Sequence, residues 1–307
     1  MFFLTQLIGI AVLHAYTPTV KQVKDETGNL INITEYNLPE GFNPPPKNDP
    51  TINLFSFIIA LIIGVGAMFF LMRFNARAAI KAWFFVVISI ALAISINAAL
   101  YKIDILKTPL TLFFIAIPIA FTISLIIGTI FSYIKIYRRN IIAHNLSELL
   151  IYPGLASVFV PLLNIPSAIA LFVVFSIYDM HAVWSSGIMQ KMAKYQIQHL
   201  KVFSGFFIPY IGPKEKELIS KLKNKNLKDK KIKLNVAILG GGDVVFPILL
   251  AGAVLRQWGL FDALLVSIGA TLALALLFLY SKKGKFYPAL PFIFAGCLLA
   301  LLVAYLL

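Results

Sequence analysis

Two aspartates, Asp179 and Asp243, stand inside long apolar runs of this sequence. A charged side chain at the centre of a membrane helix costs about 2.5 to 3.5 kcal/mol on insertion scales, so acids placed there mark a functional site by default. Neither run holds a Lys or Arg that could serve as counter-ion, which argues against a structural ion pair. The other eleven of the 13 acidic residues fall in expected loops or near a membrane face. His181 is two residues from Asp179, a separation that turns it toward another side of a helix. Two carboxyls in contact in a low-dielectric site cannot both ionise, so the pair holds one proton over a wide pH range. Peptide hydrolysis needs that state: the carboxylate takes a proton from the attacking water while its protonated partner donates to the amide carbonyl oxygen. This chemistry calls for no metal, no cofactor and no nucleophilic side chain.

The surroundings of Asp243 look built for access. Gly240, Gly241 and Gly242 precede it, and each glycine in a helix interior costs about 1 kcal/mol relative to alanine. Either close helix approach or backbone access for a substrate could offset that cost, and the sequence leaves both open. Pro247 lacks the amide hydrogen that would have bonded the Asp243 carbonyl, so the helix is loosened at the acid, as a wet cavity would require. Further on, Pro288-Ala289-Leu290-Pro291 follows a basic turn. Its prolines fit helix initiation, and their place on the aspartate side of the membrane fits a segment that shapes the site.

The elements that must carry these residues follow from composition. With 60% apolar and 13% charged residues in 307, the chain cannot fold in water without exposing large apolar patches, and the bilayer is its solvent. A net charge of +14 does not indicate a nucleic-acid partner, because the basic residues lie between apolar runs and form no patch on a soluble fold. The single cysteine, Cys297, excludes an intrachain disulfide and a multi-cysteine zinc site. Apolar runs predict nine spans, near residues 2 to 16, 51 to 72, 82 to 100, 109 to 131, 148 to 163, 165 to 186, 234 to 255, 261 to 281 and 287 to 307. The fold class is therefore an all-α membrane protein of nine transmembrane helices, the first one short. That first run lacks a basic n-region and a clear A-x-A site, and is read as a retained span rather than a signal peptide.

Lys and Arg near span ends stay on the cytoplasmic side. Only Lys21, Lys24, Lys47, Lys102, Lys107 and Arg256 of the 27 basic residues fall in one set of loops, and every other one falls in the opposite set. This places the amino terminus in the cytoplasm and the carboxyl terminus outside. Asp179 then lies about seven residues, roughly 10 Å, from the cytoplasmic end of the sixth span, and Asp243 about nine residues into the seventh, so the acids share a depth. We divide the chain into a transmembrane scaffold, residues 1–147, with an outer loop over 17–50, and a catalytic part, residues 148–307, with a cytoplasmic loop over 187–233. The outer loop is proline-rich and is read as irregular or extended, with a glycosylation triplet at Asn32-Ile33-Thr34. In the cytoplasmic loop an amphipathic start, Ile188 to Val202, is followed by an apolar island, Phe203 to Gly212, and a lysine-rich stretch suited to anionic lipid heads.

Three segments carry a resemblance to a known family. Tyr178-Asp179 with Ala182 and Val183 resembles a YD motif, Gly240 to Asp243 fits GxGD, and Pro288-Ala289-Leu290 reproduces PAL, in that order and in the sixth, seventh and ninth spans. The chain is similar to the presenilin and signal peptide peptidase family of intramembrane aspartyl proteases, and Pro247 after the GxGD segment looks closest to its signal peptide peptidase and archaeal branches. The resemblance implies a presenilin-like fold in a cell membrane if the source is prokaryotic. It implies cleavage in or near a transmembrane helix or signal peptide, with Asp179 and Asp243 as acid and base and Pro288 to Leu290 shaping the cleft. Tyr178, the three glycines and Pro247 are the remaining candidates for binding or shaping. The substrate and the bilayer are the implied partners, and homo-oligomerisation stays open. Two other readings use the same aspartates: a prepilin-type GxGD peptidase, and a cation- or proton-coupled transporter.

Overall fold

The structure is a computed structural model that describes residues 1–24, 30–35, 50–74, 76–101, 103, 106, 108–112, 115–138, 140–186, 204–210, 235–281 and 287–307. Among them are nine α-helices: α1 Phe2–Ala15, α2 Pro50–Arg73, α3 Arg77–Leu100, α4 Ile119–Tyr133, α5 Ile141–Phe159, α6 Ile165–His181, α7 Gly241–Gln257, α8 Leu260–Tyr280 and α9 Leu290–Leu306. Each expected span is represented. With their terminal turns, α3, α4, α5, α6 and α8 are long and apolar enough to cross a membrane, whereas α1, α7 and α9 have 14, 17 and 17 residues. Side chains such as Ile62, Leu272 and Leu279 expose more than half their surface, as expected where lipid is the outer solvent.

Strands replace part of two predicted spans. The run over 234–255 begins as strand β6, Asn235–Gly240, and turns helical only at Gly241. β6 pairs antiparallel with β5, Gly205–Tyr210, which falls in the apolar island of the loop over 187–233. Likewise the run over 109–131 opens as a hairpin, β3 Pro109–Leu112 with β4 Ile115–Pro118, and α4 starts at Ile119. A continuous apolar run carries no period, so hydropathy alone cannot separate strand from helix, and pairing with a second strand decides for strand here. In the loop over 17–50, read as irregular or extended, β1 Thr19–Lys24 pairs antiparallel with β2 Leu30–Glu35, with Asn32 and Thr34 in β2. The prolines at 39 to 46, the amphipathic segment at 188–202 and the lysine-rich stretch through 233 lie outside the described residues.

The turn between α5 and α6 divides 148–186 between two helices, each with its terminal turns long and apolar enough to cross a membrane. Asn164 caps α6, its side-chain oxygen accepting from Ser167 N–H at 2.8 Å, with Pro166 in the first turn. One core cluster joins α1 and α5 to α9 through residues including Leu13, Tyr152, Phe172, Ile248, Val254 and Ile293. A second, around Ile80, Leu92 and Ile151, joins α3 to α5. The short α1 is inside the bundle: Gly9 faces Ile248, and Gln6 Nε2 donates to the Val244 carbonyl of α7 at 3.1 Å.

Small residues set how closely these helices approach. A Cβ built on Gly154 of α5 would come within van der Waals overlap of the Ala91 carbonyl of α3, whereas one on Gly64 of α2 would meet nothing within 4 Å. Gly154→Ala should therefore lower unfolding stability by about 3 kcal/mol. Gly64→Ala should leave it unchanged or raise it by up to about 1 kcal/mol. Thermal or denaturant unfolding of the purified protein in detergent checks the contrast.

Candidate active site

Asp179 closes the regular part of α6, just before the helix widens into a π-helical turn over Ala182–Ser186. Its side chain is 6% exposed. The nearest donors come from the start of α9: Leu290 N–H bonds Asp179 Oδ2 at 3.2 Å, and the Ala289 N–H is directed at the same carboxyl. Leu290 is the first helical residue of α9 and Pro291 the second. A helix leaves its first four N–H groups without internal partners, and proline at the start removes one of them. The prolines thus initiate the helix, and the amides between them are bonded by an acid from another helix. The two meanings of the Pro288 to Pro291 segment are one arrangement.

Asp243 has a parallel setting. Gly240 is the N-cap of α7, with φ −64° and ψ 146°, so Asp243 is the third helical residue and bonds back to the Gly240 N–H. This is the acidic half of a capping box. Asp243 is 8% exposed and interacts electrostatically with Asp179. Each acid therefore sits at a helix amino terminus, where unpaired amides and the helix dipole favour a carboxylate.

The glycines separate on geometry. None of the three lies in a helix interior, so the expected interior cost largely disappears. A Cβ on Gly241 would stand 3.0 Å from the Tyr152 ring and hydroxyl and 3.1 Å from Ser204 Oγ. On Gly242 it would meet only the Phe246 ring, at 3.8 Å, and Gly242 is exposed beside the buried Asp243. Close approach applies at Gly241 and open space at Gly242. Pro247 is buried inside α7, near the carbonyl held by Gln6.

One to two helical turns from the acids, four phenylalanines lock the three motif-bearing helices. Phe175 of α6 lies 4.5 Å from Phe246 of α7 between ring centroids; Phe172 lies 5.8 Å from Phe246 and 4.9 Å from Phe294 of α9. The sequence reading missed them, although Phe175 precedes Asp179 by four residues and Phe246 follows Asp243 by three, the spacing of one helix face. Tyr178, by contrast, is half exposed, edge-on to Phe175, and His181 is exposed. Pro288 and Leu290 are buried and Ala289 is half-buried.

Glu148 is a third buried acid. The sequence placed it at a membrane face, but α5 begins at Ile141, two turns earlier, and Glu148 is fully enclosed against Lys135. It bonds one edge of β5, whose other edge pairs with β6. Among the described residues, no group of three or more His, Cys, Asp and Glu side chains could hold a metal ion.

The family described as signal-peptide peptidase, presenilin aspartyl protease, matches residues 36–307. The chain belongs to this family. It is accordingly an integral membrane protein and an intramembrane aspartyl protease by class, which sets aside the prepilin-type and transporter readings of the two acids. Two solved structures described as a presenilin family intramembrane aspartate protease, in C222 and P2 space groups, share the fold. The first is 17% identical at a TM-score of 0.61, with 100% of this chain and 96% of that chain covered. The second is 18% identical at 0.59, with 100% and 95% covered. No protein with a curated description matches the sequence.

Alanine at the two glycines tests the local geometry. Gly241→Ala should destabilise by about 1 to 3 kcal/mol, because Tyr152 and Ser204 must move. Gly242→Ala should leave unfolding stability within about 1 kcal/mol of the wild type, since it fills open space in a helical turn. Unfolding of both variants beside the wild type reads the difference.

Proposed function

We propose that the protein is an intramembrane endopeptidase that hydrolyses peptide bonds in or near transmembrane helices or signal peptides, with water activated by Asp179 and Asp243. The observation that carries this reading is that two buried carboxyls from different helices interact at matched helix starts, with family membership supplying the reaction class. One carboxylate takes the proton of the attacking water and the protonated partner donates to the scissile carbonyl. Leu290 and Ala289 hold the Asp179 carboxyl from one side, leaving its remaining lone pairs for the reaction. Open space at Gly242 gives substrate backbone a way to approach Asp243, and the basic-residue asymmetry puts this end of the bundle at the cytoplasmic side.

A helical substrate hides its amides in its own hydrogen bonds and must unwind before hydrolysis. β6 offers a template. Gly205 and Phe207 turn their N–H and C=O groups to α5, so Phe206 and Ile208 face β6, and their partners Leu239 and Ala237 face back. Val236, Ile238 and Gly240 then present the opposite edge, which no third strand covers among the described residues. An unwound substrate adds there as a strand and is led to the acids.

Purified protein incubated with a single-span test substrate, with products read by mass spectrometry, tests the proposal. The wild type should cleave it, and Asp179→Ala and Asp243→Ala should each lower kcat/KM at least about a thousandfold. Absent cleavage by the wild type, or cleavage that survives both substitutions, overturns the assignment. Val236→Pro and Ile238→Pro remove donors on the open edge alone, and each should lower kcat/KM by up to about tenfold with unfolding unchanged.

A further inference from the structure

A second polar group is buried away from the aspartate pair, on the inner face of α5. His144, Asn145 and Glu148 fall on one helical stripe, and Lys135, from the π-helical extension of α4, places Nζ 2.5 Å from Glu148 Oε1. The Lys135 and Glu148 side chains are only 2% and 0% exposed. Desolvation of two charges offsets most of their attraction, so a buried ion pair is a poor source of stability and its presence calls for another role.

That role is visible in the backbone these side chains hold. Gly205 N–H donates to Glu148 Oε1 at 3.2 Å, and His144 Nε2 donates to the Gly205 carbonyl at 2.8 Å. Asn145 Nδ2 donates to the Phe207 carbonyl at 2.8 Å, while its Oδ1 accepts the Phe207 N–H at 3.0 Å. Alternate residues of β5 thus have both their N–H and their C=O satisfied by one helix, as a neighbouring strand would do. The Phe207 ring packs on His144 and the fully buried Phe206 packs edge-on to Tyr152. Through the other edge of β5, Gly205 stands opposite Gly240, and Gly240 caps the turn that carries Asp243.

We infer that His144, Asn145 and Glu148, with Lys135 balancing the glutamate's charge, form an anchor that fixes the β5–β6 hairpin and thereby positions Asp243. The inference rests on Asp243 being catalytic, and none of the four touches the reacting atoms, so they are positioning residues. A strand edge buried against a helix must have its amides and carbonyls paired by fixed partners. A charged acceptor holds an amide more strongly and with less play than a neutral one. Misplacement of a reacting group by about 1 Å can cost a hundredfold in rate, which gives such an anchor its leverage.

Two double variants separate anchoring from charge. Lys135→Met/Glu148→Gln keeps an acceptor for the Gly205 N–H, and Lys135→Met/Glu148→Leu removes it; both are free of a stranded buried charge. With the test substrate, the Gln double variant should keep kcat within about threefold of the wild type, and the Leu double variant should lose about tenfold or more in kcat with KM within about twofold. Amide hydrogen exchange should quicken at 205–210 and 235–240 in the Leu double variant and in Asn145→Leu, and stay unchanged in the rest of the chain. Unchanged turnover and exchange in the Leu double variant and in Asn145→Leu, or exchange quickened throughout the chain, overturns the inference. A wild type that cleaves nothing overturns the protease reading instead, and the exchange contrast still decides the anchor.

Discussion

Hydrocarbon offers no hydrogen bonds, so every polar group this chain carries into the bilayer must find its partner within the protein. The site is organised by that requirement. A helix that begins inside the membrane exposes amides which water would satisfy in a soluble protein. Here α9 begins at Leu290 and α7 at Gly241, and at each start a carboxyl takes those amides: Asp179 from across the bundle and Asp243 from within its own first turn. Two problems that would each be costly alone, a buried acid and an uncapped helix, cancel in pairs. The same requirement accounts for β5, whose edges are divided between α5 side chains and β6.

Once the acids are tied to helix starts, the relative placement of α6, α7 and α9 becomes the quantity the rest of the bundle must hold. Apolar packing does this within two turns of the acids, through Phe172, Phe175, Phe246 and Phe294. On the far side of α9, Gly269 of α8 and Gly296 approach until a Cβ on either would lie 2.5 Å from the other's carbonyl oxygen. The first turns of α9, which the PAL segment opens, are thus held by rings from one side and by backbone contact from the other.

Much of this was legible in the sequence. Among the described residues each of the nine apolar runs holds a helix, because crossing a bilayer demands length and hydropathy that few other structures share. Asp179 and Asp243 stood out because a charge in such a run is rare. What escaped were features without a one-dimensional signature. Residues 235–240 are as apolar as a helix would be, and only their pairing with β5 across the intervening loop makes them a strand. Glu148 was set at a membrane face because its span appeared to start there; the polar residues His144 and Asn145 masked a helix that begins at Ile141. In a membrane protein polar residues mark either a helix end or a buried site, and hydropathy alone cannot distinguish them. Tyr178 shows the reverse: it belongs to a motif, yet its ring is turned half outward while its neighbour is buried.

The bond from Gln6 to Val244 spans 238 residues. As the chain is made, α1 reaches the bilayer with an amide side chain whose partner does not yet exist, and the five helices α2 to α6 are inserted before α7 arrives. Closure of this contact therefore waits for α7, and the helix bearing Asp243 is seated against a segment inserted well before it. An intramembrane protease gains from that timing: Asp243 reaches its place only when α1 to α6 are already in the membrane, and the start of α9 that holds Asp179 arrives later still.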